Sequence, residues 1–181
     1  GVTVYHAGIV GTDGDILLDA CKEAGVNTKY IRRLPVKGGH TMIQVDKNAQ
    51  NCIILYGGTN QMQTKEFVDE VLADFGEGDY LILQNEINMV GEIIRLSHEK
   101  GCRVVFNASP IPKNPEELPL ELVDIFMVNE LEAAALAGTS AEGDFRDILK
   151  ALQKKYPKAA IVMTLGKDGV LYGYKEEFYS H

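Results

Sequence analysis

Short apolar runs along this chain alternate with segments whose apolar residues recur every three or four positions. Residues 2–10 read as a strand. In 13–24, Ile16, Leu17, Ala20 and Ala24 fall at helical spacing, and Gly25 stops the helix because glycine leaves it most easily with positive φ. The pairing then repeats. Residues 79–84 (DYLILQ) predict a buried strand, and 88–100 a helix with Met89, Val90, Ile93, Ile94 and Ser97 on one face, ended by Gly101. Residues 103–107 (RVVFN) predict a strand followed by a proline-rich loop from Pro110 to Pro119. A strand at 124–128, helices at 130–137 and 145–155, and a strand at 159–164 complete the pattern. Strands that alternate with helices and stay apolar throughout imply an α/β fold. Its parallel sheet should have helices on both faces and right-handed crossovers.

One region departs from this rhythm. Residues 29–34, 40–45 and 51–56 are β-like with no helix between them, and the polar run 46–50 (DKNAQ) joins the last two as a turn. They predict a small antiparallel sheet inserted into the α/β body, with Gly38-Gly39 and Gly57-Gly58 as hinges at its edges. Such a patch serves as a lid over a site, as a surface for a second subunit, or as a plain hairpin. The pattern leaves all three open.

Composition narrows the class. The 181 residues are 45% hydrophobic and 24% charged, the balance of an ordinary globular chain. With 18 basic and 26 acidic side chains the net charge is −8, and no basic patch offsets it, so nucleic acid and anionic membranes are poor partners. Cys21, Cys52 and Cys102 are odd in number and widely spaced, which argues against a disulfide framework or a zinc site and for a reducing cytoplasm. The four histidines form no ligand pair either.

Several motifs fail on their own spacing. Gly8, Gly11 and Gly14 follow a strand and precede a helix, but as GxxGxxG rather than a dinucleotide fingerprint. The run from Asp46 to Asn51 lacks the glycine at the sixth position of a calcium loop. Three features carry more. Gln84-Asn85-Glu86 ends a predicted parallel strand, where ligands bind in open sheets; Glu86 suits either a polyol or the N-terminal dipole of the next helix. Asn129-Glu130-Leu131-Glu132 has the spacing of a helix capping box. In Thr164-Leu165-Gly166-Lys167-Asp168-Gly169 a strand enters a glycine-bearing turn, which suits phosphate oxygens or a simple hairpin.

The joint order of these features resembles the ribokinase family of sugar kinases, the carbohydrate kinase B (PfkB) type, over essentially the whole chain. The resembling segments run from AGIVGTDGDILLDACKEAGVNT through HTMIQVDKNAQNCIILYGGTN, LILQNE, VVFNASP and LPLELVDIFMVNELEAAALAG to VMTLGKDGVL. NELE is similar to the family's NxxE motif and TLGKDG to its TLGxxG turn. The lid run is most like the ribokinases within the family. The resemblance implies a three-layer α/β sandwich around a mainly parallel sheet. Its divisions are a first part of the body at 1–28, a β lid insertion at 29–60, and a body with a partial nucleotide site at 61–181.

By the same resemblance, Glu86 contacts the sugar and Asn129 the nucleotide. Glu132 is linked to Mg²⁺ through water, and Thr164, Leu165, Gly166, Lys167, Asp168 and Gly169 surround the ATP phosphates. The implied reaction is ATP-dependent phosphorylation of a sugar hydroxyl, ribose to ribose 5-phosphate. The implied cofactors are ATP and Mg²⁺, with a monovalent cation in the complete protein, and the implied partner is a second copy held through the lid strands.

Two family hallmarks have no match here: the GGKGANQA-type sugar-binding segment and the DTxGAGD segment that carries the general base. Residues 138–145 (GTSAEGDF) imitate the latter but precede the TLGxxG turn, and read as a loop and helix start with Asp144 near an N-cap. The expectation is therefore a central fragment, incomplete at both ends, with no catalytic base of its own and little activity alone. The alternative is a non-catalytic binding or dimerisation module derived from such a kinase.

Overall fold

The computed structural model describes residues 1–47, 51–175 and 177–180, and only the backbone of Asn51. The chain divides into two compact units, Gly1–Val71 and Leu72–His181.

In the first unit, β1 (Tyr5–Val10) and β2 (Asn27–Arg33) are joined through α1 (Asp15–Glu23). They pair in parallel, Ala7 opposite Tyr30 and Val10 opposite Arg33. A parallel pair needs a crossover of about a dozen residues or more, and α1 with its flanking turns supplies it. β3 (His40–Val45) and β4 (Asn51–Tyr56) form a separate antiparallel hairpin. The run at 29–34 therefore does not belong to the inserted sheet: it lies within and just beyond β2, beside β1. The crossover, rather than closeness in sequence, decides its partner, and Pro35 lacks the N–H that a continuing ladder requires. Of the polar run 46–50, Asn48, Ala49 and Gln50 lie outside the described residues.

The periodicity reading passed over α2 (Lys65–Leu72). Thr64 Oγ1 accepts the Phe67 N–H at 3.3 Å, and the helix buries Phe67, Val68, Val71 and Leu72. α1 has its predicted amphipathic spacing yet buries none of its residues; Ile16 is 76% and Leu17 56% exposed.

The second unit is built on a six-stranded sheet, ordered β10-β9-β8-β7-β6-β5. Its strands are β5 (Tyr80–Gln84), β6 (Arg103–Asn107), β7 (Ile125–Asn129), β8 (Ala160–Thr164), β9 (Val170–Tyr174) and β10 (Glu177–Ser180). The four from β5 to β8 run parallel, as expected, whereas β9, which the hairpin reading of 164–169 allows, and β10, which no pattern announces, add an antiparallel edge. Their alternation of tyrosine with glycine or charge gives no sustained apolar run.

α3 (Val90–Glu99), α4 (Glu130–Ala137) and α5 (Phe145–Lys155) connect these strands or pack on them. Successive residues Val104, Val105 and Phe106 of β6 are all buried, so both faces of that strand are covered. The core gathers Ile94, Phe106, Phe126, Leu136, Leu149, Leu152, Ile161 and Met163, each less than 2% exposed. Asp144 caps α5 as expected, its side chain accepting the Arg146 N–H at 2.7 Å.

Candidate functional site along the carboxyl edge of the sheet

In the second unit the parallel register brings the expected site residues to one edge. Gln84 lies opposite Asn107, Asn107 opposite Met127, and Asn129 opposite Thr164. The carboxyl ends of β5, β6, β7 and β8 therefore present Glu86, Asn107, Asn129 and Thr164 in spatial order. With about 4.8 Å between strands, β5 and β8 stand about 14 Å apart, a span suited to a sugar at one end and a nucleotide at the other.

At the β5 end, Glu86 is exposed two residues beyond the strand. Its neighbour Asn85 is fixed: its N–H donates to Ser109 O at 3.1 Å and its Nδ2 to Pro110 O at 2.9 Å. The loop after β5 is thus tied to the loop after β6. Met89, just before α3, holds a left-handed φ of 63°, a conformation that costs an L-residue roughly 1 kcal/mol.

At β7 the capping box is fully formed. Asn129 Oδ1 accepts the Glu132 N–H at 2.8 Å, and Glu132 Oε2 accepts the Asn129 N–H at 2.9 Å. Glu132 is only 7% exposed and forms no ion pair with a described Lys or Arg. A buried carboxylate with one oxygen committed to the backbone suits an outer-sphere role toward a hydrated divalent cation. No cluster of three His, Cys, Asp or Glu side chains occurs among the described residues, and Mg²⁺ in phosphoryl-transfer sites rests on one or two carboxylates plus phosphate and water. The donor set fits that mode of binding.

At β8 the strand runs into a 3₁₀ turn, Gly166–Asp168, and returns as β9. Both readings of this segment meet here, since the turn is a hairpin whose glycines also shape a concave backbone. Gly166 has φ +56° and Gly169 φ +94°, and the Leu165 N–H closes the turn on Gly169 O at 2.9 Å. The N–H groups of Gly166 and Lys167 donate to no backbone carbonyl among the described residues, and both residues are exposed. Free N–H groups on a left-handed turn are a ready phosphate cradle. Thr164 Oγ1 lies 3.4 Å from Val128 O, aligned with the end of β7.

Asn107, which the pattern marks as the end of its strand, occupies the middle of this polar edge. Its position after an apolar run at a parallel-strand terminus was the available signal. An open hollow of about 450 Å³ lies elsewhere in this unit, lined by Arg95, Glu92, Glu116, Glu117 and Glu121 among others, and contains none of the expected site residues.

A sequence model described as pfkB family carbohydrate kinase matches residues 1–181. The ribokinase of Staphylococcus aureus is 31% identical over 175 residues, covering 93% of this chain and 57% of that protein. The ribokinase of Haemophilus influenzae is 29% identical, covering 94% of this chain and 57% of its own length. Among solved structures, the ribokinase of Thermotoga maritima superposes with a TM-score of 0.78 at 26% identity, covering 98% of this chain and 59% of that one. The Cryptococcus neoformans ribokinase in complex with ADP reaches a TM-score of 0.83 at 23% identity, over 100% of this chain and 62% of that one, a likeness of fold. This chain thus spans about 57% of the curated ribokinases it matches.

Proposed function

The chain belongs to the pfkB family of carbohydrate kinases, and from that premise we propose that the intact gene product transfers the γ-phosphoryl group of ATP to a sugar hydroxyl. Ribose, giving ribose 5-phosphate, is the substrate proposed first, since the curated relatives at 31% and 29% identity are ribokinases. The observation that carries the reading is the ordered polar edge: Glu86 at the β5 end, Asn129 and Glu132 at β7, and the turn at 164–169 beyond β8.

In this reading Glu86 accepts hydrogen bonds from sugar hydroxyls. Asn129 donates through Nδ2 to the nucleotide while its Oδ1 stays in the cap, and the Gly166 and Lys167 N–H groups hold phosphate oxygens. Mg²⁺, when bound, neutralises phosphate charge. Glu132 orients its water shell from a position that the capping box makes rigid. Phosphoryl transfer needs little covalent help from a protein and much in-line positioning, which a sheet edge supplies. The family's DTxGAGD segment, which carries the general base, has no match in residues 1–181, so we propose that these residues alone turn over slowly.

The β3–β4 hairpin is the proposed lid and the proposed seat of a second copy. Met42, Ile43, Val45, Ile53, Ile54, Leu55 and Tyr56 are all at least half exposed on it. A reducing cytoplasmic setting, consistent with three free thiols, is part of the same proposal.

A coupled ATP assay across a sugar panel on the intact gene product tests the function. Ribose-dependent ADP release is expected, with a far lower rate from residues 1–181 alone. ATP binding without turnover on any sugar would replace the kinase with a binding module.

A further inference from the structure

We infer that Asp13 is a positioning residue for the proposed lid: its carboxylate latches the base of the β3–β4 hairpin to the turn between β1 and α1, and so sets the direction in which the hairpin leaves its own unit. The inference rests on the proposed kinase function and concerns a residue that function does not use.

The hairpin leaves the body of its unit through a glycine-rich base. Every residue of β3 is exposed, as are the described side chains of β4, so packing along the strands does not fix its direction. At the base, the Gly38 N–H donates to Asp13 Oδ1 at 2.9 Å, and Lys37 Nζ lies 3.4 Å from Asp13 Oδ2. One residue away, the Thr12 N–H donates to Val36 O at 2.8 Å. The Gly38 N–H first, with Lys37 adding to it, holds the Asp13 carboxyl below its ordinary value, so the acceptor is a carboxylate at neutral pH.

The crossing admits no side chains. A Cβ on Gly11 would fall 2.2 Å from Gly38 N, and one on Gly58, where φ is +48°, would fall 2.6 Å from Gly38 O. A Cβ on Gly39 would meet Gly57 O at 2.7 Å. The incoming leg of the hairpin is therefore wedged between the β1–α1 turn and the outgoing leg. Glycines permit that approach, but their backbones are also the freest to swing. The Asp13 side chain gives the crossing a direction from the body of the unit through its bond from Gly38 N–H. On the hairpin side, His40 Nδ1 lies 3.1 Å from Gly38 O and its ring lies 4.9 Å from that of Tyr56, so a shift at Gly38 is passed to both strands.

The test compares Asp13→Ala and Asp13→Asn in the intact gene product by sugar and ATP kinetics and by hydrogen exchange at Gly38 and Gly39. In Asp13→Ala the sugar KM should rise roughly fivefold, the scale of one hydrogen bond, while the ATP KM changes less than about twofold. Exchange at Gly38 should quicken by a similar factor. Asp13→Asn, which keeps an acceptor oxygen, should recover most of both. Unchanged exchange in Asp13→Ala would overturn the latch, as would an equal loss in both substrates accompanied by a lowered Tm. If the unmutated protein phosphorylates no sugar, the kinase reading fails, and the exchange measurement still decides whether the latch exists.

Discussion

Asn129 and Glu132 show how one pair of side chains serves structure and chemistry together. The cap uses Asn129 Oδ1 and one oxygen of Glu132, leaving the Asn129 amide N–H₂ and the second carboxylate oxygen for other work. Asn129→Asp keeps the cap acceptor, so stability should change by less than about 0.5 kcal/mol. It also replaces a donor with a charge that repels phosphate, so the KM for ATP should rise at least about tenfold. Thermal melts and ATP titration of the intact protein separate the two effects. If stability and KM changed together, the residue would be a cap only.

The cysteines divide by environment. Burial, aided by the nearby Asp79 carboxylate, pushes the Cys102 thiol above its ordinary value, whereas Cys52 is exposed on β4. Thiol labelling at neutral pH should modify Cys52 first and Cys102 only on unfolding. Because the folded state holds the Cys102 proton more tightly than the unfolded state, its contribution to stability is complete below the unfolded thiol pKa. That contribution is lost as pH rises through the higher folded one. Denaturant midpoints measured from pH 8 to 10 should fall more steeply for the unmutated protein than for Cys102→Ala.

At the scale of elements, α4 is specified at both ends. The capping box opens it, and at Gly138, with φ +75°, the Thr139 N–H reaches Ala134 O at 3.0 Å and the Gly138 N–H reaches Ala135 O at 3.2 Å. These signals lie within a few residues of each other, which is why 130–137 was legible to the residue. β3 and β4 are the opposite case. Register places Ile43 opposite Ile53 on one face and Met42 opposite Ile54 on the other, so both faces of a two-stranded sheet are apolar. An isolated hairpin is marginally stable, and apolar groups on both sides ask for two partners. Glutamate at both Ile43 and Ile54 should convert a dimer to monomer in sedimentation velocity at micromolar concentration. A dimer that survived both changes would place the second copy elsewhere.

For the whole molecule, the −8 charge requires that any attraction for ATP be local. The turn at 164–169 meets that need with backbone N–H groups, which carry partial positive charge whatever the side-chain balance. The fold class and the positions of most elements were set by local properties such as apolar runs, helical spacing and glycine stops. The spacing of NELE and TLGKDG likewise foreshadowed the capping box and the glycine turn of the candidate site, because each motif is a short contiguous segment.

Which strand pairs with which was a different matter. Residues 29–34 look like the two strands that follow them, yet they pair with β1 through a helical crossover. β9 and β10 became strands only because β8 offers them an edge. Asn107 took its place in the polar edge by register with its neighbours, and Asp13 acquired its partner Gly38 twenty-five residues away. By itself the sequence determined the elements and the motifs at their ends, since hydrogen bonds and side-chain spacing within a few residues decide those. Only the tertiary structure decided the pairing, the alignment of the site and the latch, since these depend on contacts whose cost is closing long loops and whose reward no local segment can show.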